Sequence, residues 1–408
     1  MKKFLSILLA LLLCLGAFAG CKKQENGGVI AKVEGREISF NDFLDTLDYY
    51  VYYLSIDASS ASSKESVMQL AQQILDSMVL SEVVYAKGEE LGYYDFSEEE
   101  RAKIEEDVAA QMSAGRESIE ASVKEQNPDL SEADLETKIN LEMVNQGYIE
   151  EDFRSYYEDS LVYDKVFAHF TDDISVQDQE VREEYDRLVE EAKAGYADGT
   201  ASFENDALSG GAIYYTPAGY RRVKHILIGF DTETSNKLSE LYSADDQAAY
   251  DAYLQEALAG IKSKAEDVRS KINADGSNFA DLMSEYSEDP GAAYYPDGYV
   301  VGQENSTYYE DFVTGVFALK NVGDVSALVS SPSGYHIIRL EEILPEGPAK
   351  YEDVQATISA SLLETRKSDA FFELCETWRD EMKVKTYPEK YQVYLDNYYA
   401  DLETSASQ

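Results

Sequence analysis

Apolar residues recur at three- and four-residue spacing from about residue 39 to about residue 195, which is the pattern of amphipathic helices. Glycines and a proline in "YADGTASFENDALSGGAIYYTPAGY" interrupt this pattern, and the strand-like "RRVKHILIGF" follows. Helical periodicity returns only in "YEDVQATISASLLETRKSDAFFELCETWRDEM". An apolar helical stripe that follows a finished domain needs a partner to bury it. The pattern therefore predicts an α+β protein in which an α/β domain is inserted in, or flanked by, an all-helical module that also holds the C-terminal helix.

Capping signals in the first half of the chain indicate where helices begin. "GGVIAKVEGREISFNDF" predicts a short extended segment with a turn at Glu34-Gly35 and a helix capped near Ser39. Ser97 followed by Glu100 predicts a capping box at the start of a later helix.

The strand-like segment opens the predicted α/β domain. A polar helix is expected from about Ala244 to Ile272, followed by the amphipathic helix "NFADLMSEYS" and the turn-rich "DPGAAYYPDGY". A helix in "YYEDFVTGVFAL" and a closing strand in "SPSGYHIIRLEEI" complete it. The predicted division of the whole chain is a signal peptide (1–21), a tether (22–28), the helical module (29–200), a linker (201–218), the α/β domain (219–345), the C-terminal helix (346–395) and a disordered tail (396–408).

The first residues have the layout of a secretory signal. Lys2 and Lys3 precede an apolar run from Phe4 to Leu15, which is too short to span a membrane, and small residues lead to Cys21. The ending "FAGC" resembles a bacterial lipobox, in which the cysteine becomes the lipidated first residue of the mature protein. We therefore expect a protein held by Cys21 at the extracytoplasmic face of the cell membrane, the alternative being an ordinary cleaved signal with an incidental cysteine.

Cysteine usage and charge exclude several classes of protein. Once Cys14 leaves with the signal and Cys21 carries lipid, only Cys375 remains, so no intramolecular disulfide is expected. A net charge of −44 disfavours nucleic acid and anionic lipid headgroups as ligands and favours cationic partners. The acidic clusters lack the spacing and glycine of a calcium loop, so no metal site is expected.

Two of the three histidines stand in strand-like settings, "VKHILI" for His225 and "SGYHIIRL" for His336, whereas His169 has no histidine or cysteine neighbour and is interpreted as structural. With "FADLMSEYSEDPGAA" and "FVTGVFALKNVGDVS" between them, these stretches resemble, in order and over about 120 residues, the parvulin (PpiC-type) family of peptidyl-prolyl cis-trans isomerases. The resemblance implies a four-stranded antiparallel sheet with surrounding helices, and two histidines side by side at its centre beneath a proline site.

Carried over position by position, the resemblance implies a complete set of site residues. The catalytic set is His225, Asp289, His336 and Ser333, and the substrate-binding set is Phe312, Tyr308, Val300 and Ser331. Isomerisation only rotates an amide bond, so the resemblance implies no cofactor and no metal. The chain departs from the family in reading "YYPDGYVVGQ" where a glycine-rich stretch is usual, in having Tyr308 in place of a methionine, and in a long helical insertion after the first strand. Acidic residues in "GFDTETSNK" replace the basic residues that select phosphorylated substrates.

The whole chain resembles the PrsA-type foldase lipoproteins and the SurA-type chaperones in its organisation. That resemblance implies a membrane-anchored isomerase and foldase whose partners are unfolded or partly folded exported polypeptides with X-Pro bonds. The alternative is a chaperone that holds such chains without isomerising them, its histidines being a structural hydrogen-bonded pair. A third hypothesis, a solute-binding lipoprotein, shares the anchor but not the parvulin-like segment. The oligomeric state is left open.

Overall fold

The computed structural model of the 408-residue chain describes residues 27–199, 202–244, 246–304 and 306–406. The predicted signal peptide, most of the tether and the lipidation site at Cys21 lie outside the described residues. Contacts divide the chain into two compact units, one comprising residues up to Ser175 together with Leu363–Gln408, and the other comprising Val176–Leu362. Each unit is described separately below.

The first unit is mainly helical. Its N-terminal elements are β1 (Val29–Val33), β2 (Arg36–Ser39), α1 (Phe40–Tyr53), α2 (Lys64–Glu90), α3 (Glu98–Gln126), α4 (Glu132–Asn145) and α5 (Glu150–Thr171). The Ser39 side chain accepts a hydrogen bond from the Asp42 amide at the start of α1, and Ser97 and Glu100 form the reciprocal capping box of α3, so both predicted helix starts are confirmed. The turn at Glu34-Gly35 joins β1 and β2 into an antiparallel hairpin.

The core of this unit is aliphatic and aromatic. Helix α2 supplies a large part of this core, because it buries residues on most of its circumference. Gly88 permits a close approach of α5, because a Cβ there would lie 2.1 Å from Cγ1 of Val162. Phe371, Cys375 and Trp378 of the C-terminal segment are buried in the same core.

The C-terminal segment contains more structure than the predicted single helix and disordered tail. It forms α12 (Tyr351–Glu381), β9 (Val384–Thr386) and α13 (Glu389–Ala406). Strand β9 pairs with β1, so this unit also contains a three-stranded sheet of order β2-β1-β9. The predicted all-helical module did not include this sheet. The predicted tail from residue 396 is wrong as far as residue 406, because Leu395 and Tyr399 are buried in the core and hold α13 in place.

The second unit carries the α/β domain. Its elements are α6 (Asp178–Asp198), α7 (Phe203–Ser209), β3 (Tyr215–Thr216), β4 (Tyr220–Gly229), α8 (Thr232–Ser243), α9 (Gln247–Lys271), α10 (Phe279–Tyr286), β5 (Tyr299–Gly302), α11 (Glu310–Ala318), β6 (Val329–Ser331), β7 (Gly334–Ile343) and β8 (Gly347–Pro348), followed by the first part of α12. The antiparallel sheet of order β5-β4-β7-β6 confirms the expected four strands.

The two faces of this sheet pack against different helices. Ile226, Ile228 and Ile337 point to one face, where they contact apolar residues of α9 and α10. Val223 and Ile338 point to the other face and pack with Phe312 and Val316 of α11. The side chain of His225 alternates with that of Ile226 and therefore lies on the face of α11.

The unit boundaries fall at other positions than the pattern of the sequence suggests. Helix α6, which the prediction included in the helical module, buries Val181 against Val354 and Ile358 of α12 and belongs to the second unit. The predicted linker contains α7 and β3, and β3 pairs with β8. Among the described residues, no helix combines the length and the apolar composition that crossing a membrane requires.

Candidate active site

Two histidines meet at the centre of the four-stranded sheet because β4 and β7 are antiparallel neighbours. His225 is paired with Ile338 and His336 with Leu227, so the two imidazoles stand diagonally on one face. Their Nδ1 atoms are 2.9 Å apart, and their rings are nearly parallel, with 10° between the planes. Both rings are buried, with 8 % of His225 and 5 % of His336 exposed.

Asp289 continues the hydrogen-bonded chain on the side of His225. Its Oδ2 accepts hydrogen bonds from Nε2 of His225, at 2.9 Å, and from the Tyr299 hydroxyl, at 2.7 Å. Its Oδ1 accepts the Gly291 amide at 3.0 Å, because Asp289 caps the short 3-10 turn that begins at Pro290. Burial raises the pKa of Asp289, but the hydrogen bonds from His225 and Tyr299 outweigh it and lower that pKa to about 2. The group is therefore an ionised carboxylate at neutral pH.

Ser331 closes the chain on the side of His336. Its hydroxyl lies 2.7 Å from Nε2 of His336 and accepts the Ser333 amide at 3.0 Å. The tight turn from β6 to β7 makes this possible, since Gly334 has a φ of 131° and a Cβ there would lie 2.2 Å from the Ile228 carbonyl oxygen. The hydroxyl beside His336 is thus that of Ser331, whereas Ser333 contributes its main-chain amide to the network.

The ionised Asp289 determines the direction of every hydrogen bond in this chain. A carboxylate only accepts, so Nε2 of His225 carries a proton and, in the neutral ring, Nδ1 of His225 is an acceptor. Nδ1 of His336 must then donate to it, which leaves Nε2 of His336 to accept from the Ser331 hydroxyl. All four ring nitrogens are engaged, and the tautomer of each ring follows from its partners.

His336 is held neutral. Burial lowers its pKa to about 3, and the neighbouring His225 acts in the same direction while Asp289 opposes it. Protonating this ring would place a charge in a buried site and would remove an acceptor from Ser331.

Aromatic side chains surround the two histidines. The centroid of the Phe312 ring, which is buried, lies 5.3 Å from that of His225 and 5.0 Å from that of His336. Tyr308 lies 5.7 Å from Phe312, and Tyr299 lies 5.2 Å from His225. The Tyr308 hydroxyl is buried and has no hydrogen-bond partner among the described residues, and its ring packs on Phe312 at a position where a methionine is frequent in the parvulins.

Val300 is the one predicted site residue that the structure places elsewhere. Strand β5 pairs Tyr299 with Val223 and Val300 with Arg222, so Val300 points to the face opposite the histidines. Tyr299 and Val301 share the face of the site, and Val301 packs with Phe312. Tyr299 was not among the predicted site residues. It is the neighbour of Val300 in a short strand, and this adjacency makes it a candidate for the same position.

No group of three or more His, Cys, Asp or Glu side chains in the described part of the chain is arranged to hold a metal ion. His169 is not part of the site, since it lies in the other unit, where its Nδ1 is 2.8 Å from the Tyr93 hydroxyl.

Comparison with known families agrees with this geometry. Residues 225–342 match the family model of the PPIC-type PPIase domain, called rotamase, and residues 1–116 match the model of the SurA-like N-terminal domain. The chain therefore carries a parvulin-type peptidyl-prolyl isomerase domain together with a SurA-like N-terminal domain, and the resemblance inferred from the histidine motifs is confirmed.

Two relatives that align over most of the chain carry the same name. The chain is 23 % identical over 409 residues to "Foldase protein PrsA" of Clostridium botulinum strain Hall, covering 95 % of this chain and 97 % of the relative. It is 24 % identical over 399 residues to the protein of the same name from Clostridium tetani, covering 94 % of this chain and 95 % of the relative. The crystal structure of PrsA from Bacillus subtilis is similar at 19 % identity, covering 86 % of this chain and 91 % of the other, with a TM-score of 0.22.

Proposed function

We propose that this chain is a peptidyl-prolyl cis-trans isomerase and foldase that is tethered to the extracytoplasmic face of the membrane and assists the folding of exported polypeptides. The observation that carries the proposal is the directional hydrogen-bonded chain from Asp289 through His225 and His336 to Ser331, packed against Phe312. The partners are unfolded or partly folded chains that contain X-Pro bonds.

Rotation about an X-Pro bond requires little covalent chemistry. The amide barrier is about 18–20 kcal/mol, and unassisted exchange takes about 10–100 s at 25 °C. In the twisted transition state the amide resonance is lost, so the carbonyl oxygen carries less negative charge and the nitrogen is more basic. A catalyst therefore needs an apolar surface for the proline ring and fixed charges or dipoles that favour the twisted amide.

The residues of the site suit these two tasks. Phe312 and Tyr308 provide aromatic surface for the pyrrolidine ring. The Asp289 carboxylate, with its pKa lowered to about 2, is a permanent negative charge whose field opposes the build-up of charge on the carbonyl oxygen in the planar amide. Since every ring nitrogen of His225 and His336 is engaged, the histidines act by orienting Asp289 and Ser331.

The anchor and the helical unit complete the proposal. Lipidation at Cys21 would keep the protein at the membrane surface, where exported chains emerge. The SurA-like unit, with exposed tyrosines at the end of α1, would hold unfolded segments while the isomerase unit acts on them. The name of the relatives, foldase, supports a role in protein folding.

A proline-exchange assay on a short Ala-Pro peptide tests the enzymatic role. Wild type is expected to accelerate exchange, and His225→Ala and Asp289→Ala are each expected to reduce kcat/KM by about tenfold or more, which corresponds to about 1.4 kcal/mol of transition-state stabilisation. His169→Ala is the matched control, because this histidine lies in the other unit and is expected to leave kcat/KM unchanged.

A chaperone without isomerase activity is the second candidate. The near-complete burial of both imidazoles favours it, because a buried, fully hydrogen-bonded pair also serves as a structural element. Suppression of client aggregation by a wild-type protein that does not accelerate exchange would establish this candidate and contradict the first.

A further inference from the structure

Glu204 is a buried carboxylate outside the residues that match the isomerase family. It lies on α7, in the segment predicted to be a linker, and only 2 % of it is exposed. Within the described chain, no lysine or arginine forms an ion pair with it. A buried charge of this kind is costly unless hydrogen bonds compensate for it, so its partners indicate what it stabilises.

Four hydrogen bonds from the end of β5 and the loop after it compensate for this charge. Oε1 of Glu204 accepts the Gly302 amide and the Ser306 hydroxyl, each at 2.7 Å. Oε2 accepts the Thr307 amide at 2.8 Å and the Thr307 hydroxyl at 2.7 Å. Each oxygen therefore accepts two hydrogen bonds, from the last residue of β5 and from two residues of the loop after it. Four neutral donors fill the acceptor positions of the carboxylate.

This loop leads directly to the aromatic side of the candidate site. The Ser306 hydroxyl, which donates to Glu204, also accepts the Tyr308 amide at 3.3 Å. The Tyr308 ring then packs between Phe312, at 5.7 Å, and Tyr299, at 6.1 Å. A continuous series of hydrogen bonds thus connects the Glu204 carboxylate with the backbone of a residue that faces the site.

We propose that Glu204 is a positioning residue of the isomerase site, which holds the loop after β5 so that Tyr308 stays packed on Phe312 and the surface for the proline ring is formed before substrate binds. This inference rests on the proposed isomerase function and adds to it a residue from outside the family match. Glu204 acts through the loop, since it contacts neither histidine, and its removal is expected to weaken substrate binding more than the rotation step.

Glu204→Gln in the full chain tests this proposal. The amide keeps the size of the side chain but offers only one acceptor oxygen, so the donors on the other side lose their partner. The expected result is a KM for the Ala-Pro peptide raised about fivefold or more with kcat changed less than about twofold. Asp206→Asn is the matched control: Asp206 lies on the same helix but accepts a hydrogen bond from the Tyr196 hydroxyl, so KM should stay at the wild-type value.

A double-mutant cycle with Tyr308→Ala separates positioning from a general loss of stability. If Glu204 acts through Tyr308, Glu204→Gln has little further effect on KM once Tyr308 is alanine, although both substitutions still lower the melting temperature. Thr307→Val, which removes one donor hydroxyl and keeps the volume, is expected to change KM in the same direction by a smaller factor, and it serves where Glu204→Gln folds poorly.

Two results would overturn the proposal while leaving the isomerase function in place. One is a wild-type KM in Glu204→Gln and Thr307→Val, and the other is fully additive effects of Glu204→Gln and Tyr308→Ala. Absence of exchange activity in the wild-type protein would instead contradict the isomerase function, and the role of Glu204 with it.

Discussion

Nδ1 of His225 and Nδ1 of His336 lie 2.9 Å apart although 111 positions separate these residues in the chain. Two imidazoles at this distance can share only one proton between them, so one ring must donate and the other must accept. Asp289 decides which, because the carboxylate accepts from Nε2 of His225, so that in the neutral ring Nδ1 is the acceptor. The sheet brings the rings together, and a residue outside the sheet sets their tautomers.

Ser331 and Ser333 are two residues apart and should respond differently to the same substitution. Ser331→Ala removes the donor to Nε2 of His336, leaves this buried acceptor unpaired, and is expected to lower kcat/KM in proline exchange by about tenfold. Ser333→Ala keeps the main-chain amide that Ser331 accepts, so we expect kcat/KM within about twofold of wild type. Equal losses in the two variants would contradict the assignment of the hydroxyl to Ser331.

The short turn before β7 explains why the sequence alone did not distinguish these serines. Both hydroxyls precede His336 in "SPSGYHIIRL", and which one reaches the ring depends on the positive φ of Gly334, which no periodicity reveals. Val300 was assigned wrongly for a similar reason. β5 has four residues, Val300 and Val301 are both apolar, and a shift of one residue reverses the face on which a side chain lies.

Other parts of the fold were predictable because local and tertiary signals agree. The capping box of Ser97 and Glu100 is a local signal, and β-branched apolar residues stand beside the histidines in both strands. Helix α8 was missed because its sequence is polar, with Leu238 as its buried residue, although the Asp231 cap marks its start. Helix α13 was missed because its buried residues become a core face only when packed on the helical unit.

The stability of the isomerase unit is expected to depend on His336 in mildly acidic solution. The pKa of this imidazole is lowered from 6.5 to about 3 in the folded state, chiefly by burial. Between these values the unfolded chain binds a proton that the folded chain does not, so the free energy of unfolding falls as pH falls, with a slope of up to about 1.4 kcal/mol per pH unit. The pKa of Asp289 is lowered to about 2, so the contribution of this carboxylate to the free energy of unfolding is lost only below about pH 4.

Hydrogen exchange of the β4 and β7 amides between pH 7 and pH 4 measures this dependence, after correction for the intrinsic effect of pH on exchange rates. His336→Gln is expected to remove the sloping part between about pH 6.5 and pH 4, whereas His169→Gln should keep it. If wild type and His336→Gln show parallel pH profiles, the neutral form of His336 is not what stabilises the unit.

Tyr399 tests whether α13 is part of the helical core. Its ring is fully buried, while its hydroxyl is buried without a hydrogen-bond partner in the described chain. Tyr399→Ala should lower the free energy of unfolding by about 3 kcal/mol through the cavity that it creates. Tyr399→Phe removes the unpaired hydroxyl and should be neutral or slightly stabilising. Fluorescence of Trp378, the single tryptophan of the chain, reports unfolding of this unit, and near-wild-type stability of Tyr399→Ala would contradict the packing of α13.

The exposed tyrosines at the end of α1 are expected to carry client binding in the helical unit. Tyr52 is 85 % exposed and Tyr53 59 %, and they follow Asp48, whose pKa is raised by burial. Aromatic rings beside carboxylates favour apolar segments that also carry basic residues. Replacing both tyrosines with serine should reduce suppression of aggregation of an unfolded basic protein by about threefold, while proline exchange in the short peptide stays unchanged. Tyr294→Ser, which alters an 81 % exposed tyrosine of the other unit, is the control. Full suppression of aggregation by the double variant would exclude this surface as the client site. If the double variant and wild type suppress aggregation equally in high salt, the binding is assigned to the carboxylates rather than the rings.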